Sequence, residues 1–346
     1  MIEPHKNFFL TLAAFYGVVL AAITGMNLLG ADRWWPGALN LYLPQALWAA
    51  PAVLLLFISL RVAWYWTWLP GLYLVWALGP IMGFSWSLQT PPGPTGNPSI
   101  RIMTCNAKYG SRAISELIDD IVRYKPDVVL LQDAMNSLTG PLGEYFKEWN
   151  VQSFEQYVIA SKFPLSEVEI RWMSSSGEKQ ACLRSRMLVG DTSIVFYNVH
   201  FQSPRDGLNE FRLARKGRWY LLEAIQDLEN NASVRLNQAR SIQEFVRSEQ
   251  GPVIVAGDLN SPEPSQVCAT LRDAGLHDAF AEGGRGYGYT YGHFLLEHRI
   301  PWLHLSWMRI DHIMMNSQLQ SWRCWIGTKK ASDHRPVIAD LSFKNL

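Results

Sequence analysis

The amino-acid sequence predicts a layered α/β domain preceded by three transmembrane helices. Two observations carry that expectation. Charge is segregated: between Phe8 and Thr90 only Asp32, Arg33 and Arg61 carry formal charge, whereas the rest of the chain mixes charges with apolar runs. From Ile100 onward, short apolar runs rich in β-branched residues alternate with helical stretches. The 346 residues allow one large domain plus something smaller.

The first half is read as the membrane anchor, residues 1–89. Phe8 to Gly30, Leu39 to Leu60 and Val62 to Leu88 are three apolar stretches, each long enough at 1.5 Å per residue to cross the hydrocarbon core. A cleavable signal peptide has a shorter apolar region and is not followed by further spans. Trp34, Trp35, Trp64, Trp66, Trp68 and Trp86 cluster near the expected ends, where amphipathic rings prefer the interface. Pro44, Pro51, Pro70 and Pro80 are tolerated within spans. Lys6 and Arg61 would share one side and Arg33 the other, so the positive-inside rule favours a cytoplasmic N-terminus by one basic side chain. Three crossings then put the remainder outside the cytoplasm, making this a multi-pass protein with an extracytoplasmic domain. Residues 90–98, rich in Pro and Gly, read as a linker to the domain at 99–346.

In the second half, strands are expected at Ile100–Cys105, Asp127–Leu131, Ser193–Asn198, Pro252–Ala256, Ile310–Met315 and Pro336–Leu341. Helices are expected at Ala113–Tyr124 and across Gly207–Ser248. A net charge of +1 supplies no global attraction to nucleic acid. Cys105, Cys182, Cys268 and Cys324 have no CxxC spacing, which argues against a zinc ribbon or a thioredoxin-like site. Polar residues stand just past the ends of several strands: Asn106, Gln132 with Asp133, Asn198 with His200, Asp258 with Asn260, Asp311 with His312, and Asp333 with His334. Side chains from distant segments converge there in layered α/β proteins. Oxygen donors without clustered cysteine suit Mg²⁺ or Mn²⁺, and phosphoester hydrolysis needs such a cation, a base for water and an acid at the leaving oxygen.

RIMTCNA, PDVVLLQD, NVHFQSP, VAGDLNSPEP, RIDHIM and ASDHRPV follow one another between Arg101 and Val337. In order and spacing this set resembles the endonuclease/exonuclease/phosphatase superfamily. The resemblance implies a four-layered, DNase I-like α/β sandwich and a metal-dependent phosphoric-ester hydrolase. It also implies roles. Asp133 would be the principal metal ligand, with Asn106 and Asp333 supporting the metal shell. Asp258 would activate water and Asn260 bind the phosphate. His334, oriented by Asp311, would stabilise the developing charge, and His200 would assist near the leaving group. The chain departs from the family at Asp133, where glutamate is usual. His312 falls on the opposite strand face from Asp311 and reads as structural.

Three spans before such a domain are similar to the membrane-anchored glycopeptide-resistance group of this superfamily, which is linked to undecaprenyl pyrophosphate outside the cytoplasm. The implied substrate is a phosphorylated or pyrophosphorylated lipid. A membrane-tethered nuclease, with nucleic acid as partner, and a non-catalytic membrane scaffold are the alternatives. Arg184, Arg186, Arg205 and Arg212 are candidate substrate-binding groups, since guanidinium suits phosphate. Arg205 and Arg212 belong to a basic stretch that also reads as a solvated helix face. His293, His298 and His304 fit no single helix face and make a poor zinc site. The apolar run around them suggests a loop at the rim that dips into the membrane interface through Trp302 and Trp307.

Overall fold

Alternation after Ser99 resolves into two six-stranded sheets. The computed structural model describes residues 2–88, 99–110, 114–174, 180–213, 217–295, 300–328 and 330–344, so the expected linker lies outside the described residues. The N-terminal half forms helices α1 (Ile2–Leu28), α2 (Trp35–Tyr42), α3 (Ala50–Val62) and α4 (Trp68–Trp76), then the two-residue strand β1 (Ser85–Trp86). The strands of the second half are β2 (Ser99–Asn106), β3 (Val128–Gln132), β4 (Asn150–Phe154), β5 (Tyr157–Ser161), β6 (Leu165–Met173), β7 (Gln180–Val189), β8 (Thr192–His200), β9 (Val253–Asp258), β10 (Leu276–Asp278), β11 (Arg285–Gly286), β12 (Asp311–Asn316), β13 (Leu319–Ile326) and β14 (Val337–Phe343). Its helices are α5 (Ile114–Tyr124), α6 (Pro141–Tyr145), α7 (Arg205–Leu213), α8 (Arg218–Ser248), α9 (Gln266–Asp273) and α10 (Ala279–Gly283).

One sheet has the order β13-β14-β2-β3-β5-β4 and the other β10-β12-β9-β8-β7-β6. Ile102, Leu130 and Ile159 of the first pack against Leu183, Phe196 and Ile254 of the second. On the outer faces, Met103 and Leu131 lie under Leu117 and Ile121 of α5, while Val195 and Tyr197 lie under Ile242 of α8 and Leu271 of α9. The result is helix, sheet, sheet, helix: the expected four-layered sandwich. All four cysteines are buried and free.

The anchor differs from expectation. Two helical segments are long and apolar enough to cross a membrane, His5–Leu28 and Gln45–Val62, and only 28% and 22% of their apolar windows are buried. The second expected stretch is divided at Leu43 and Pro44, so Leu39 to Tyr42 belong to α2. The third expected stretch forms no single helix of spanning length among the described residues. Nine α-helical residues from Trp68 are followed by five in a π turn, a rise of about 21 Å against a core of about 30 Å. Pro80, inside that turn, has no N–H to continue the ladder. Phe9, Tyr16 and Leu20 of α1, Leu55 of α3 and Tyr73 of α4 form the interior of this bundle.

Nor does the anchor stand apart from the sandwich. β1 pairs antiparallel with β11. Ala31 N donates to Pro264 O at 3.2 Å, and Gln266 N to the buried Asp32 carboxylate at 2.7 Å. Leu41 and Tyr42 pack with Met308 and Ile310.

Candidate active site

Strand direction gathers the functional residues at one end of the sandwich. β2 and β3 are parallel, with Asn106 opposite Gln132; β8 and β9 are parallel, with His200 opposite Asp258. β12 runs against β9 and therefore begins where β9 ends, Asp311 facing Asp258. β14 runs against β2, so Asp333 and His334, just before it, reach the same end. Close approach of β8 and β9 requires glycine at 257: its φ is +146°, and a Cβ there would sit 1.9 Å from Val199 O. Asp133 and Asn260 turn the chain at φ 47° and 48°, a left-handed region that Asp and Asn tolerate better than most residues.

Asp258 is buried at the centre. Its Oδ2 accepts from Asn106 Nδ2 at 3.0 Å, and its Oδ1 from Asn260 N at 2.8 Å. His334 Nδ1 lies 2.9 Å from Asp311 Oδ2, and its Nε2 3.7 Å from Asp258 Oδ2. Asp311 is itself fixed, its N–H directed at Thr290 Oγ1. Burial works against the charged form of His334, but Asp311 and Asp258 outweigh it and raise its pKa to about 9. Burial, with the neighbouring Asp311 charge, raises that of Asp258. Asp333 is ion-paired with Lys108; despite burial, His334 and Lys108 hold its carboxyl below the usual carboxylate range. His200 bonds Gln156 Oε1 through Nδ1 at 2.7 Å, and lies 3.5 Å from both Asp133 Oδ1 and Asp258 Oδ2.

These groups line a cleft of about 750 Å³. Its polar lining includes Asn106, Asp133, Asp258, Asn260, Asp333 and His334, and its apolar lining Leu208, Leu295, Met308 and Ile310. The arrangement suits a general base at Asp258 beside an imidazolium. A family model described as "Endonuclease/Exonuclease/phosphatase family" matches residues 103–334.

The chain belongs to the endonuclease/exonuclease/phosphatase family.

The fold agrees. A member of the family from Bacteroides vulgatus superposes with TM-score 0.56 at 17% identity, covering 71% of this chain and all of that one. Truncated Caenorhabditis elegans TDP2 gives 0.54 at 16%, covering 71% and 98%. A mannosyl-6-phosphatase from Bacteroides thetaiotaomicron gives 0.53 at 14%, covering 70% and 100%. A search of curated proteins finds no match. Members of this family are phosphoester hydrolases and are generally divalent-metal dependent.

The donor set here fits such a cation. Asp133, Asp258, Asp311 and Asp333 gather with Lys108, Arg205, His200 and His334, a carboxylate-rich set in a partly buried cleft of the kind that suits a divalent cation. Asp258, Asp311 and His334 are close enough to share an ion. Both Asp311 oxygens, however, are engaged with His334 Nδ1, so Asp311 orients the imidazole, whose Nε2 stands 3.7 Å from Asp258 Oδ2.

For an endonuclease/exonuclease/phosphatase family site, the basic groups need correction. Arg184 bonds Glu249 at 2.6 and 3.0 Å, and Arg186 bonds Glu167 at 2.7 Å. Both are consumed by internal pairing and neither lines the cleft. Arg205 does line it, whereas the Arg212 side chain lies outside the described residues. Sequence reasoning missed Lys108, Tyr109, Gln156 and Tyr291. A lysine two residues past a strand carries no spacing signal, and Tyr291 reaches the cleft only because it bridges to Met308 and stacks 4.6 Å from His334. His312 bonds Asp278 at 2.7 Å and Ser261 O at 3.1 Å, a structural position. Trp307 is held by the N-terminal segment: its indole N–H donates to Tyr42 O.

Proposed function

We propose that the chain is a membrane-anchored, divalent-metal-dependent phosphoesterase that hydrolyses a phosphorylated or pyrophosphorylated lipid at the extracytoplasmic face. The observation that carries this reading is the cleft itself: acidic and imidazole groups share it with apolar side chains, and Tyr42 of the N-terminal segment lines it. Asp133 and Asn106, supported by Asp333, would hold Mg²⁺ or Mn²⁺, which supplies charge neutralisation at the phosphoryl oxygens. Asp258, fixed by Asn106 and Asn260, takes the proton of the attacking water. His334, held charged by Asp311, faces the developing oxyanion, and Asn260 and His200 orient the phosphate and the leaving oxygen. Arg205 offers a bidentate partner for a second phosphate.

Sidedness follows from connectivity. With His5–Leu28 and Gln45–Val62 as spans, residues 29–44 emerge opposite the N-terminus. Their hydrogen bonds to Pro264, Gln266 and Asn260 favour a sandwich on that side, which requires residues 63–84, although they form no single helix of spanning length, to carry the chain back across the bilayer. Lys6 and Arg61 lie at the other end, as expected of the cytoplasmic side.

The test is hydrolysis by detergent-purified protein with Mg²⁺ or Mn²⁺, on lipid phosphates, a phosphodiester dye and plasmid DNA. Lipid phosphate turnover is expected, reduced about 10³-fold in Asp258→Asn. Cleavage of DNA alone would replace the lipid reading with a tethered nuclease, and metal-dependent activity on nothing would leave a binding scaffold.

A further inference from the structure

We propose that the segment between the first two apolar helices is part of the catalytic machinery, and that Tyr42 is a positioning residue for the phosphate-binding turn Asp258–Asn260. The inference rests on the phosphoesterase reading for its activity arm only. Tyr42 is the last residue of α2, is buried, and lines the catalytic cleft although 64 residues and a linker separate it from Asn106. Its hydroxyl donates to Asn260 O at 3.0 Å. Asn260 sits at a left-handed φ of 48°, a conformation that persists only where its surroundings impose it. Three bonds do so: its N–H to Asp258 Oδ1, its Nδ2 to Phe201 O at 2.9 Å, and the Tyr42 hydroxyl to its carbonyl. The first of these is also the bond that orients Asp258. Tyr42 thus reaches the water-activating carboxylate through a single intervening residue.

The tyrosine is held from several sides. Trp307 Nε1 donates to its carbonyl at 3.1 Å, and the Arg235 guanidinium lies 5.8 Å from its ring centroid. α2 is seated by Gly37, where a Cβ would fall 1.9 Å from Ala31 O, and by the Asp32 carboxylate accepting from Gln266 N. A mere tether needs none of these contacts. Their joint effect is that the anchor supplies one lining residue of the cleft, Tyr42, and one of the constraints on its strained turn, so loosening the anchor's seat slackens the site even for a soluble ester.

The experiment uses the full chain in detergent with Mg²⁺ and bis-p-nitrophenyl phosphate, comparing wild type, Tyr42→Phe and the exposed control Tyr65→Phe. Tyr42→Phe keeps the ring and removes only the hydroxyl. Its kcat is expected to fall about 5- to 20-fold with KM within twofold, while Tyr65→Phe is unchanged. In parallel, amide hydrogen exchange over residues 257–263 is expected to quicken at least fivefold in Tyr42→Phe, with the thermal midpoint within 2 °C of wild type. Unchanged exchange in that segment overturns the proposal. So does unchanged kcat in an active enzyme. A wild type inactive on every phosphoester refutes the phosphoesterase reading instead, and the exchange measurement still decides the role of Tyr42.

Discussion

At the scale of single residues, the departure at Asp133 has a local explanation. The position lies at φ 47° immediately after β3, and its carbonyl accepts from Tyr109 N across the turn. Aspartate adopts that backbone more readily than longer side chains, and its carboxylate already reaches within 3.5 Å of His200. Asp133→Ala is therefore expected to raise the Mg²⁺ concentration for half-maximal activity at least tenfold. Asp133→Glu should stay within about threefold of wild type, because the extra methylene faces open cleft. A metal titration of the hydrolysis rate checks both, and an unaffected Asp133→Ala would remove this carboxylate from the metal shell. The acidic and imidazole residues of the site were legible because each stands at the start or end of a β-run inside a recognisable motif. Tyr42, Lys108, Gln156 and Tyr291 were not, since their roles depend on which segments meet in space.

Elements explain which guesses about arginine failed. Six strands were readable from apolar runs, but β4 to β7 were not, because β6 alternates charged with apolar residues on an edge and β7 carries two arginines. Once β7 is paired with β8, Arg184 points at the end of α8, where Glu249 also accepts from Tyr197 at 2.7 Å. This buried pair fastens the sheet to the long helix. Burial works to raise the pKa of Glu249, but hydrogen bonds from Arg184 and Tyr197 outweigh it and hold the carboxyl below the usual range. A depressed carboxylate contributes stability above its unfolded pKa, and that contribution is lost as pH falls through the folded value. Arg184→Ala is thus expected to destabilise the domain by about 3 kcal/mol at pH 7 and to flatten the loss of stability below pH ~4.5. Denaturant unfolding at several pH values measures both. An unchanged acid limb would show that Glu249 does not depend on this partner.

For the whole molecule, hydropathy marked three apolar stretches where two helices of spanning length form among the described residues, because length and apolarity do not register where a helix breaks. Leu43-Pro44 and the Pro80 turn supply those breaks, and what they free is chain that docks on the sandwich. The same docking divides the two tryptophans once grouped in one loop. Trp307 is tied to Tyr42, whereas Trp302 is 79% exposed and close in sequence to exposed Leu305. An exposed indole is suited to the bilayer interface. Trp302→Ser is accordingly expected to lower turnover of lipid phosphate in vesicles about three- to tenfold, the range that losing one interfacial ring allows, and to leave a soluble diester unaffected. Trp307→Ser should reduce both, because it unseats α2 from the cleft. Parallel assays of the two variants on vesicles and on the soluble diester separate these outcomes. Equal losses for Trp302→Ser on both substrates would mean that the ring supports the fold and that the rim does not touch the membrane.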